Sequence, residues 1–316
     1  MTETDILETL EYNFGPAIMA AFADPAVLEI MLNDDGTVWI ERFGQPMETI
    51  EPLPPSLALN VFQLLATANH VTVGEHRPLL QAVLPTETFG GARFQGYLPP
   101  VAASPTFCIR KRPSRVFTLT DYISGGILSE TGANALRDAI RAHKNIVVVG
   151  GTGSGKTTFV NALQHELFFL CPQERQLILE DTREIQSDNP NTVYLTATDG
   201  VTLADLIFGA LRYRPDRIHI GEVRDGAALN LLKAWNTGHP GGIGTYHADS
   251  AEEALPRMEE LVEEATLAPK QALIGRALDV IVYIAKTPEG RKVTDMLGVK
   301  GWDKSSGDYI LDAINL

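Results

Sequence analysis

The chain has 316 residues, with 26 basic and 40 acidic side chains, which gives a formal net charge of −14 at pH 7. This length predicts about two domains whose cores need no disulfides, and a hydrophobic content of 44% excludes wholesale disorder. An acidic chain lacks the basic surface that nucleic-acid binding needs, so we expect no direct nucleic-acid partner. Cys108 and Cys171 are too few for a disulfide framework or a four-cysteine zinc site and are expected to be buried thiols.

The beginning of the sequence carries no sign of secretion. Residues 1–14 contain Glu3, Asp5, Glu8 and Glu11 but no Lys or Arg, which excludes a secretory signal. The longest uncharged run, 94–109, is interrupted by three prolines and is too short to span a bilayer. We therefore predict a cytoplasmic protein and leave peripheral contact with a membrane open.

Residues 1–125 are predicted to form a small α+β domain. Apolar residues at spacings of four predict a helix over 5–23, and Asn33-Asp34-Asp35-Gly36 between two apolar runs predicts a hairpin of 28–32 with 37–42. A second helix is predicted over 55–68. Short strands and loops are expected over 71–117, before a boundary near Ser124-Gly125-Gly126.

Residues 126–316 are predicted to form a doubly wound α/β domain. A helix ending near His143 precedes the apolar run 145–149, which has no polar face and so is typical of a buried parallel strand. Further strands at 176–179, 192–195, 217–220 and 242–246 alternate with helical patterns such as 203–211 and 227–235. The tail is predicted to be an antiparallel meander of 280–285, 292–299 and 309–314, with Pro288-Glu289-Gly290 at one turn.

A phosphate-binding loop follows the strand 145–149. The pattern G-x-x-x-x-G-K-[ST] is matched from Gly150 to Thr157, and a helix is predicted to follow from Thr158. In such loops the backbone N–H groups surround phosphate oxygens, Lys156 supplies a positive charge, and Thr157 can hold Mg²⁺. A glycine-rich turn is the alternative, which the strand–loop–helix context disfavours. The candidate nucleotide-binding residues are Gly150, Gly151, Thr152, Gly153, Ser154, Gly155, Lys156, Thr157 and Thr158.

Carboxylates follow two further predicted strands. Glu180 and Asp181 end the first, where they can face Mg²⁺ or an attacking water. The alternative is that they cap backbone N–H groups of a following loop or helix. Glu222 ends the second strand, but Gly221 stands where the usual Walker B motif has an aspartate, so only Glu222 remains to serve the metal.

Basic and histidine residues complete the candidate site. Arg212, Arg214, Arg217 and Arg224 are expected either to form surface salt bridges or to neutralise charge on a transferred phosphoryl group. His247 follows a predicted strand, where a sensor of the terminal phosphate is expected, although a lone histidine is commonly structural. A metal site built on His239 and His247 is disfavoured because no cysteine or third histidine is close in sequence.

Four sequence blocks in fixed order resemble the secretion ATPase superfamily, and most closely the TrbB-like conjugal transfer ATPases of type IV secretion systems. The blocks are GGTGSGKTT (150–158), ILEDTREIQ (178–186), LRYRPDRIHIGEVRDGAA (211–228) and NTGHPGGIGTYHADS (236–250). The flanking sequences are also similar, so the resemblance covers nearly the whole chain. The lack of a four-cysteine zinc module, and TGHP where retraction motors typically have TGHL, favour the conjugation branch.

The resemblance implies a homohexameric ring in which an α+β N-terminal domain stacks on a RecA-like ATPase domain, with nucleotide between them. The blocks would then supply Glu180 and Asp181 as an acidic box, Glu222 as a modified Walker B residue, and His239 to His247 as a histidine box. Arg93 and Arg110 match the N-terminal arginines that reach the nucleotide in this family, although Arg112 and Arg115 lie close by.

From these residues we expect hydrolysis of ATP with Mg²⁺, driving a hexamer that energises conjugative pilus assembly or type IV secretion alongside inner-membrane components. Lys156 and the loop would hold the phosphates, and Thr157 with Glu222 and Asp181 would place Mg²⁺. Glu180 would polarise the attacking water, and an arginine such as Arg93 or Arg110 would stabilise the transition state. The alternatives are a pilus-assembly or type II secretion ATPase and an ATP-binding switch or scaffold with little turnover. A small-molecule kinase is disfavoured because no second substrate-binding lid is evident.

Overall fold

The computed structural model describes residues 3–42, 45–112, 116–198 and 200–316. The chain divides into two compact units, Met1–Arg115 and Val116–Leu316. The predicted boundary near residues 124–126 lies about ten residues later, within the second unit. The reason is that Leu119 and Tyr122, which precede the glycines, are buried in the core of the second unit.

The first unit is a two-layer α+β structure. Its six strands form one sheet in the order β3-β2-β1-β6-β5-β4, and every neighbouring pair is antiparallel. Apolar side chains of the first two helices and of the sheet share one core. The elements are α1 (Glu3–Ala23), β1 (Val27–Leu32), β2 (Val38–Arg42), β3 (Glu48–Ile50), α2 (Pro55–Ala68), β4 (Leu79–Val83), α3 (Thr86–Phe89), β5 (Arg93–Tyr97) and β6 (Thr106–Arg110).

The long first helix is interrupted, which the spacing of its apolar residues did not predict. Gly15 has φ 74° and ψ 169°, and Pro16 follows it. Proline lacks an N–H group and disfavours the helical conformation in the residue before it, so the helix breaks at this pair. Leu10, Phe14 and Ile18 are nevertheless all buried, because both halves pack on the same sheet.

The second unit has three layers, with helices on both faces of an eight-stranded sheet of order β14-β13-β12-β7-β11-β10-β8-β9. Helices α4 to α6 share a core with one face, and α7 to α10 share a core with the other. This confirms the predicted α/β class. The elements are α4 (Leu119–Ser124), α5 (Glu130–Arg141), β7 (Ile146–Val149), α6 (Lys156–Leu170), β8 (Gln176–Glu180), β9 (Thr192–Thr196), α7 (Leu203–Ala210), β10 (Arg217–Ile220), α8 (Ala227–Asn236), β11 (Ile243–Tyr246), α9 (Ala254–Glu263), α10 (Gln271–Ala277), β12 (Val280–Thr287), β13 (Gly290–Asp303) and β14 (Asp308–Ala313).

The C-terminal strands belong to the main sheet. They form the predicted antiparallel meander, but β12 also pairs parallel with β7, with Val282 opposite Val148 and Tyr283 opposite Val149. The central strand β7 therefore lies between β11 and β12 and is buried along its whole length. In the described part of the chain no helix is long and apolar enough to cross a membrane.

Candidate functional site

The phosphate-binding loop connects the carboxyl end of β7 to the first residue of α6. Three of its glycines have positive φ, 156° at Gly150, 70° at Gly153 and 98° at Gly155. A Cβ atom added at Gly150 would lie 2.2 Å from the carbonyl oxygen of Ile284, so no side chain fits there. The loop thus takes its shape from backbone conformations that other residues rarely adopt, at the positive end of a helix dipole.

Lys156 is almost fully buried, with 8% of its surface exposed. Its Nζ donates hydrogen bonds to the carbonyl oxygens of Gly150, at 2.9 Å, and of Gly151, at 3.1 Å. The same Nζ lies 3.4 Å from Nε2 of His247. The lysine charge is therefore held inside the loop and next to the histidine that follows β11.

His247 connects Lys156 to Glu222. Its Nε2 lies 2.8 Å from Oε1 of Glu222, whose Oε2 accepts a hydrogen bond of 2.6 Å from Nε of Arg224. Partial burial lowers the pKa of His247, with the Lys156 charge adding to this effect and Glu222 opposing it. A neutral imidazole placed between a cation and a carboxylate can exchange a proton or a hydrogen bond with either.

Glu180 is buried, whereas its neighbour Asp181 is exposed. Oε1 of Glu180 accepts hydrogen bonds from the backbone N–H groups of Glu184, at 3.0 Å, and Ile185, at 2.9 Å. A Cβ atom added at Gly221 would lie 2.8 Å from Cγ of Glu180. The missing Walker B aspartate is thus explained by space, because the Glu180 side chain lies against residue 221.

The remaining loop residues fit a phosphate group. Ser154 is buried, and its Oγ has no hydrogen-bond partner within the described ranges. Thr157 and Thr158 lie in the first turn of α6 and are partly exposed. Hydroxyl, backbone N–H and lysine donors in one pocket suit an anion with several oxygens. In the same described ranges no group of three or more His, Cys, Asp or Glu side chains forms a metal site by itself.

Three of the four candidate arginines lie near the amino end of β10, away from the phosphate-binding loop at the carboxyl ends of the strands. Arg217 begins β10 and is fully buried; it donates to the carbonyl oxygens of Ile140, at 2.8 Å, and Gly241, at 3.1 Å, and pairs with Glu174. The expectation that any of this group could neutralise a phosphoryl group is therefore wrong for Arg217. Arg212 and Arg214 precede β10 in the sequence; Arg212 stacks on Phe208, and Arg214 is 85% exposed beside Asp216. Of the four arginines, Arg224 is the one that contacts Glu222.

The two histidines of the fourth block are also separated. His239 precedes β11 and His247 follows it. Four strand residues span about 13 Å, which prevents both rings from binding one metal ion. Only His247 reaches the phosphate-binding loop.

Arg93 and Arg110 belong to the first unit, where they are paired across β5 and β6. Their side chains share the face of the sheet opposite to the buried residues Phe94 and Ile109. Nearby, Lys111 has a structural role, because its Nζ donates to the carbonyl oxygens of Ala21, Phe22 and Asp24 at the end of α1. The basic segment around residue 110 is thus not uniformly available to a ligand.

The structure adds one residue that the motifs did not indicate. NH2 of Arg291, in β13, donates a hydrogen bond of 3.2 Å to the carbonyl oxygen of Gly153. Arg291 lies more than 130 residues from the loop in sequence, and it belongs to none of the four blocks. Only the pairing of β12 with β7, which brings the β12–β13 hairpin to the loop, reveals it.

The chain is similar to known proteins over nearly its whole length. Residues 15–288 match the family described as type II/IV secretion system protein. The chain is 43% identical to the probable conjugal transfer protein TrbB of Sinorhizobium fredii, over 98% of this chain and 94% of the relative. It is 44% identical to the conjugal transfer protein TrbB of Rhizobium radiobacter, over 94% and 91%.

The fold is also found among solved structures. The ATPase DotB of Legionella pneumophila superposes with a TM-score of 0.63 at 18% identity, covering 91% of this chain and 80% of that one. At this identity the likeness shows the fold, and it supports the expected RecA-like architecture. The sequence resemblance to TrbB-like proteins is confirmed by the two relatives. The chain belongs to the type II/IV secretion system protein family.

Proposed function

We propose that this chain is a cytoplasmic ATPase that energises conjugative transfer through a type IV secretion apparatus. The observation that carries the proposal is the chain of contacts Lys156–His247–Glu222 beside the phosphate-binding loop. The names of the TrbB relatives supply the process. A binding loop alone would support any nucleotide-dependent protein, whereas a carboxylate joined through a histidine to the lysine of the loop adds a group that can serve Mg²⁺ beside the phosphates.

In this proposal ATP is bound by residues 150–158. Lys156 provides positive charge to the outer phosphates, and the loop N–H groups and the Ser154 hydroxyl provide hydrogen bonds. Thr157 and Glu222, with Asp181 close to Glu180 in sequence, are the oxygen donors proposed for Mg²⁺. Mg²⁺ would neutralise negative charge on the phosphates.

Glu180 is proposed as the residue that orients the attacking water. Its carboxylate is fixed in advance, since two backbone N–H groups hold Oε1, and Gly221 leaves the space that the Glu180 side chain occupies. A preorganised group needs no rearrangement when charge develops in the transition state. Arg93 and Arg110 are proposed to stabilise that charge, as the family resemblance implies.

His247 is proposed to report the state of the terminal phosphate. It contacts both the lysine assigned to the phosphates and the carboxylate assigned to Mg²⁺, so a change at one of them alters its hydrogen bonds to the other. This gives the ring the position that coupling between hydrolysis and movement requires.

The proposed assembly is a homohexamer working with inner-membrane components of the transfer apparatus, and peripheral association with the membrane is part of the proposal. The net charge of −14 argues against direct contact with the transferred DNA. A division of labour follows, in which the ring supplies work and other subunits bind the nucleic acid.

Separate substitutions of Glu180 and Glu222 test their different proposed roles. Glu180→Gln should keep ATP affinity and lose turnover by about 10²–10³-fold, as expected for loss of a water-positioning group. Glu222→Gln should lose turnover together with Mg²⁺ dependence, measured as the Mg²⁺ concentration for half-maximal activity. Glu263→Gln, on an exposed helix position, is the matched control. Unchanged turnover in Glu180→Gln would refute its assignment, and an absence of ATP hydrolysis in the wild-type protein would refute the function.

A further inference from the structure

The hairpin formed by β12 and β13 is one wall of the phosphate-binding loop. Strand β12 runs alongside β7 as far as Tyr283, opposite Val149, and then continues beyond the end of β7 to Thr287. The chain turns there and returns as β13, with Arg291 opposite Lys286. The carbonyl oxygen of Ile284 lies so close to Gly150 that an added Cβ would be 2.2 Å away.

Arg291 reaches from this wall to the tip of the loop. Its NH2 donates to the carbonyl oxygen of Gly153 at 3.2 Å. Its side chain also covers Gly155, since a Cβ added there would lie 3.0 Å from Cδ of Arg291. Both glycines have positive φ, so the arginine contacts two of the three glycines whose backbone conformation gives the loop its shape.

The contact fixes one peptide group from both sides. The peptide that joins Gly153 to Ser154 has its carbonyl oxygen bonded to Arg291 and its N–H group bonded to the carbonyl oxygen of Gly151, at 3.3 Å. Because a peptide is planar, its N–H and C=O groups turn together. A cation on the carbonyl therefore holds this peptide in one orientation, and with it the backbone angles of Gly153 and Ser154, on which the directions of the neighbouring loop N–H groups depend.

Arg291 lies on the β12 side of the phosphate-binding loop, away from the groups proposed to take part in the reaction. Of the two neighbours of β7, β11 leads to His247 and β12 leads to Arg291. On the β11 side, His247 contacts both Lys156 and Glu222. Arg291 is thus placed to shape the loop without joining the chemistry.

We propose that Arg291 is a positioning residue, which holds the phosphate-binding loop in its binding conformation from the C-terminal hairpin. The proposal rests on the proposed nucleotide site and deepens it, because it makes affinity for phosphate depend on a residue outside the loop motif. Binding is tightened equally in the ground state and the transition state, so the residue affects KM and not kcat.

The experiment compares Arg291→Ala, Arg291→Lys and Lys292→Ala in the full-length protein. Lys292 is the next residue, on the opposite, exposed side of the hairpin, and its loss removes the same charge. Titration calorimetry with ATP and with inorganic tripolyphosphate measures binding, and steady-state kinetics measures KM and kcat. We expect Arg291→Ala to weaken both ligands about tenfold, to raise KM to match, and to keep kcat within about twofold. Arg291→Lys should recover part of the affinity, and Lys292→Ala should leave it unchanged.

Three other results would overturn the inference. Loss of ATP affinity with unchanged tripolyphosphate affinity would mean that Arg291 contacts the nucleoside and does not shape the loop. A fall in kcat at constant KM would place it in the chemical step. Should Arg291→Ala not fold, Arg291→Lys decides, since wild-type affinity for both ligands in that variant contradicts a role for the guanidinium group. If wild-type protein binds ATP without hydrolysing it, the proposed function fails while the binding comparison still tests Arg291.

Discussion

The two edges of the eight-stranded sheet each contain a cation, a glutamate and a histidine, yet they differ in what those groups contact. At the carboxyl edge, where β7, β10 and β11 end, these are Lys156, Glu222 and His247. At the amino edge, where the same strands begin, they are Arg217, Glu174 and His143, with Nε2 of His143 2.7 Å from Oε1 of Glu174.

At the amino edge the protein itself satisfies the charge. Arg217 is 0% exposed, and each of its three guanidinium nitrogens donates to Glu174, to a backbone carbonyl or to Cys171. At the carboxyl edge Lys156 donates to loop carbonyls that a phosphate can replace, and His247 is 45% exposed. The types of residue in a cluster therefore do not distinguish a binding site from a structural cluster. The difference lies in whether the partners can be exchanged for a ligand.

The largest effect is expected at the carboxyl edge. Lys156→Ala should lower ATP turnover by about three orders of magnitude, the scale for loss of a cation at a transferred phosphoryl group. The thermal midpoint should move little, since the removed amine is bonded to loop carbonyls and not to the core. Turnover at constant enzyme concentration and calorimetric unfolding measure the two quantities. Wild-type turnover in this variant would remove the distinction between the edges.

The opposite result is expected at the amino edge. Arg217→Met should lower the free energy of unfolding by about 3–5 kcal/mol, because it removes the guanidinium from the partly buried Glu174 and leaves the carbonyl oxygens of Ile140 and Gly241 without their donor. The folded fraction should bind ATP normally. The double variant Arg217→Met/Glu174→Gln is the control and should recover part of the stability in denaturant titrations. A stable Arg217→Met protein with weak ATP binding would show that the amino edge belongs to the site.

A smaller loss of stability is expected where the carboxyl ends of β8 and β10 lie side by side. Gly221→Ala should cost about 1–3 kcal/mol, since the new methyl group would lie 2.8 Å from Cγ of buried Glu180. Gly209→Ala is the control, because an added Cβ meets nothing within 4 Å there and the helix should gain stability. Denaturant midpoints compare them. Equal stability of Gly221→Ala and wild type would contradict the close contact that explains the altered Walker B motif.

A pH-dependent effect on stability is expected midway between the edges. Burial lowers the pKa of His219 to about 3, with the nearby Arg217 charge acting in the same direction. The unfolded chain therefore binds the proton more readily, and the stability contributed by neutral His219 is complete above pH 6.5 and lost as the pH falls from 6.5 towards 3. The slope should be about 1.4 kcal/mol per pH unit.

His219→Asn should remove that slope while keeping an acceptor for the N–H group of Ile243, which bonds to Nδ1 in the native protein. The difference in unfolding free energy between the two proteins, measured from pH 7 to pH 4, isolates this residue from the carboxylates that titrate in both. An identical pH dependence would show that His219 does not stay neutral in the folded state.

Most of the fold could be predicted from the sequence, because the patterns that indicate strands and helices involve only neighbouring residues. The buried run 145–149 and the glycine-rich loop after it required only neighbouring residues to recognise. The roles of Arg217 and Arg291 depended instead on pairing between distant strands. A cluster of arginines has the same appearance in sequence whether it lies at the beginning or the end of a strand, and the contact of Arg291 with Gly153 spans 138 residues.

The candidate carboxylates show the same limit. The positions of Glu180 and Asp181 at a strand end were evident from the pattern, but which of them points inward was not. Strand residues alternate in direction, so a shift of one residue exchanges the buried and exposed members of such a pair. The structure places Glu180 inside and Asp181 outside.

The place of β7 between β11 and β12 also determines when the site can form during synthesis. Both neighbours of β7 are made long after it, and the hairpin that closes the loop is reached only near residue 291 of 316. A ribosome-bound chain that has emerged only as far as α6 already contains the whole GKT motif but lacks both walls of its pocket. We therefore expect nucleotide binding to appear late in translation, after both walls of the pocket have formed.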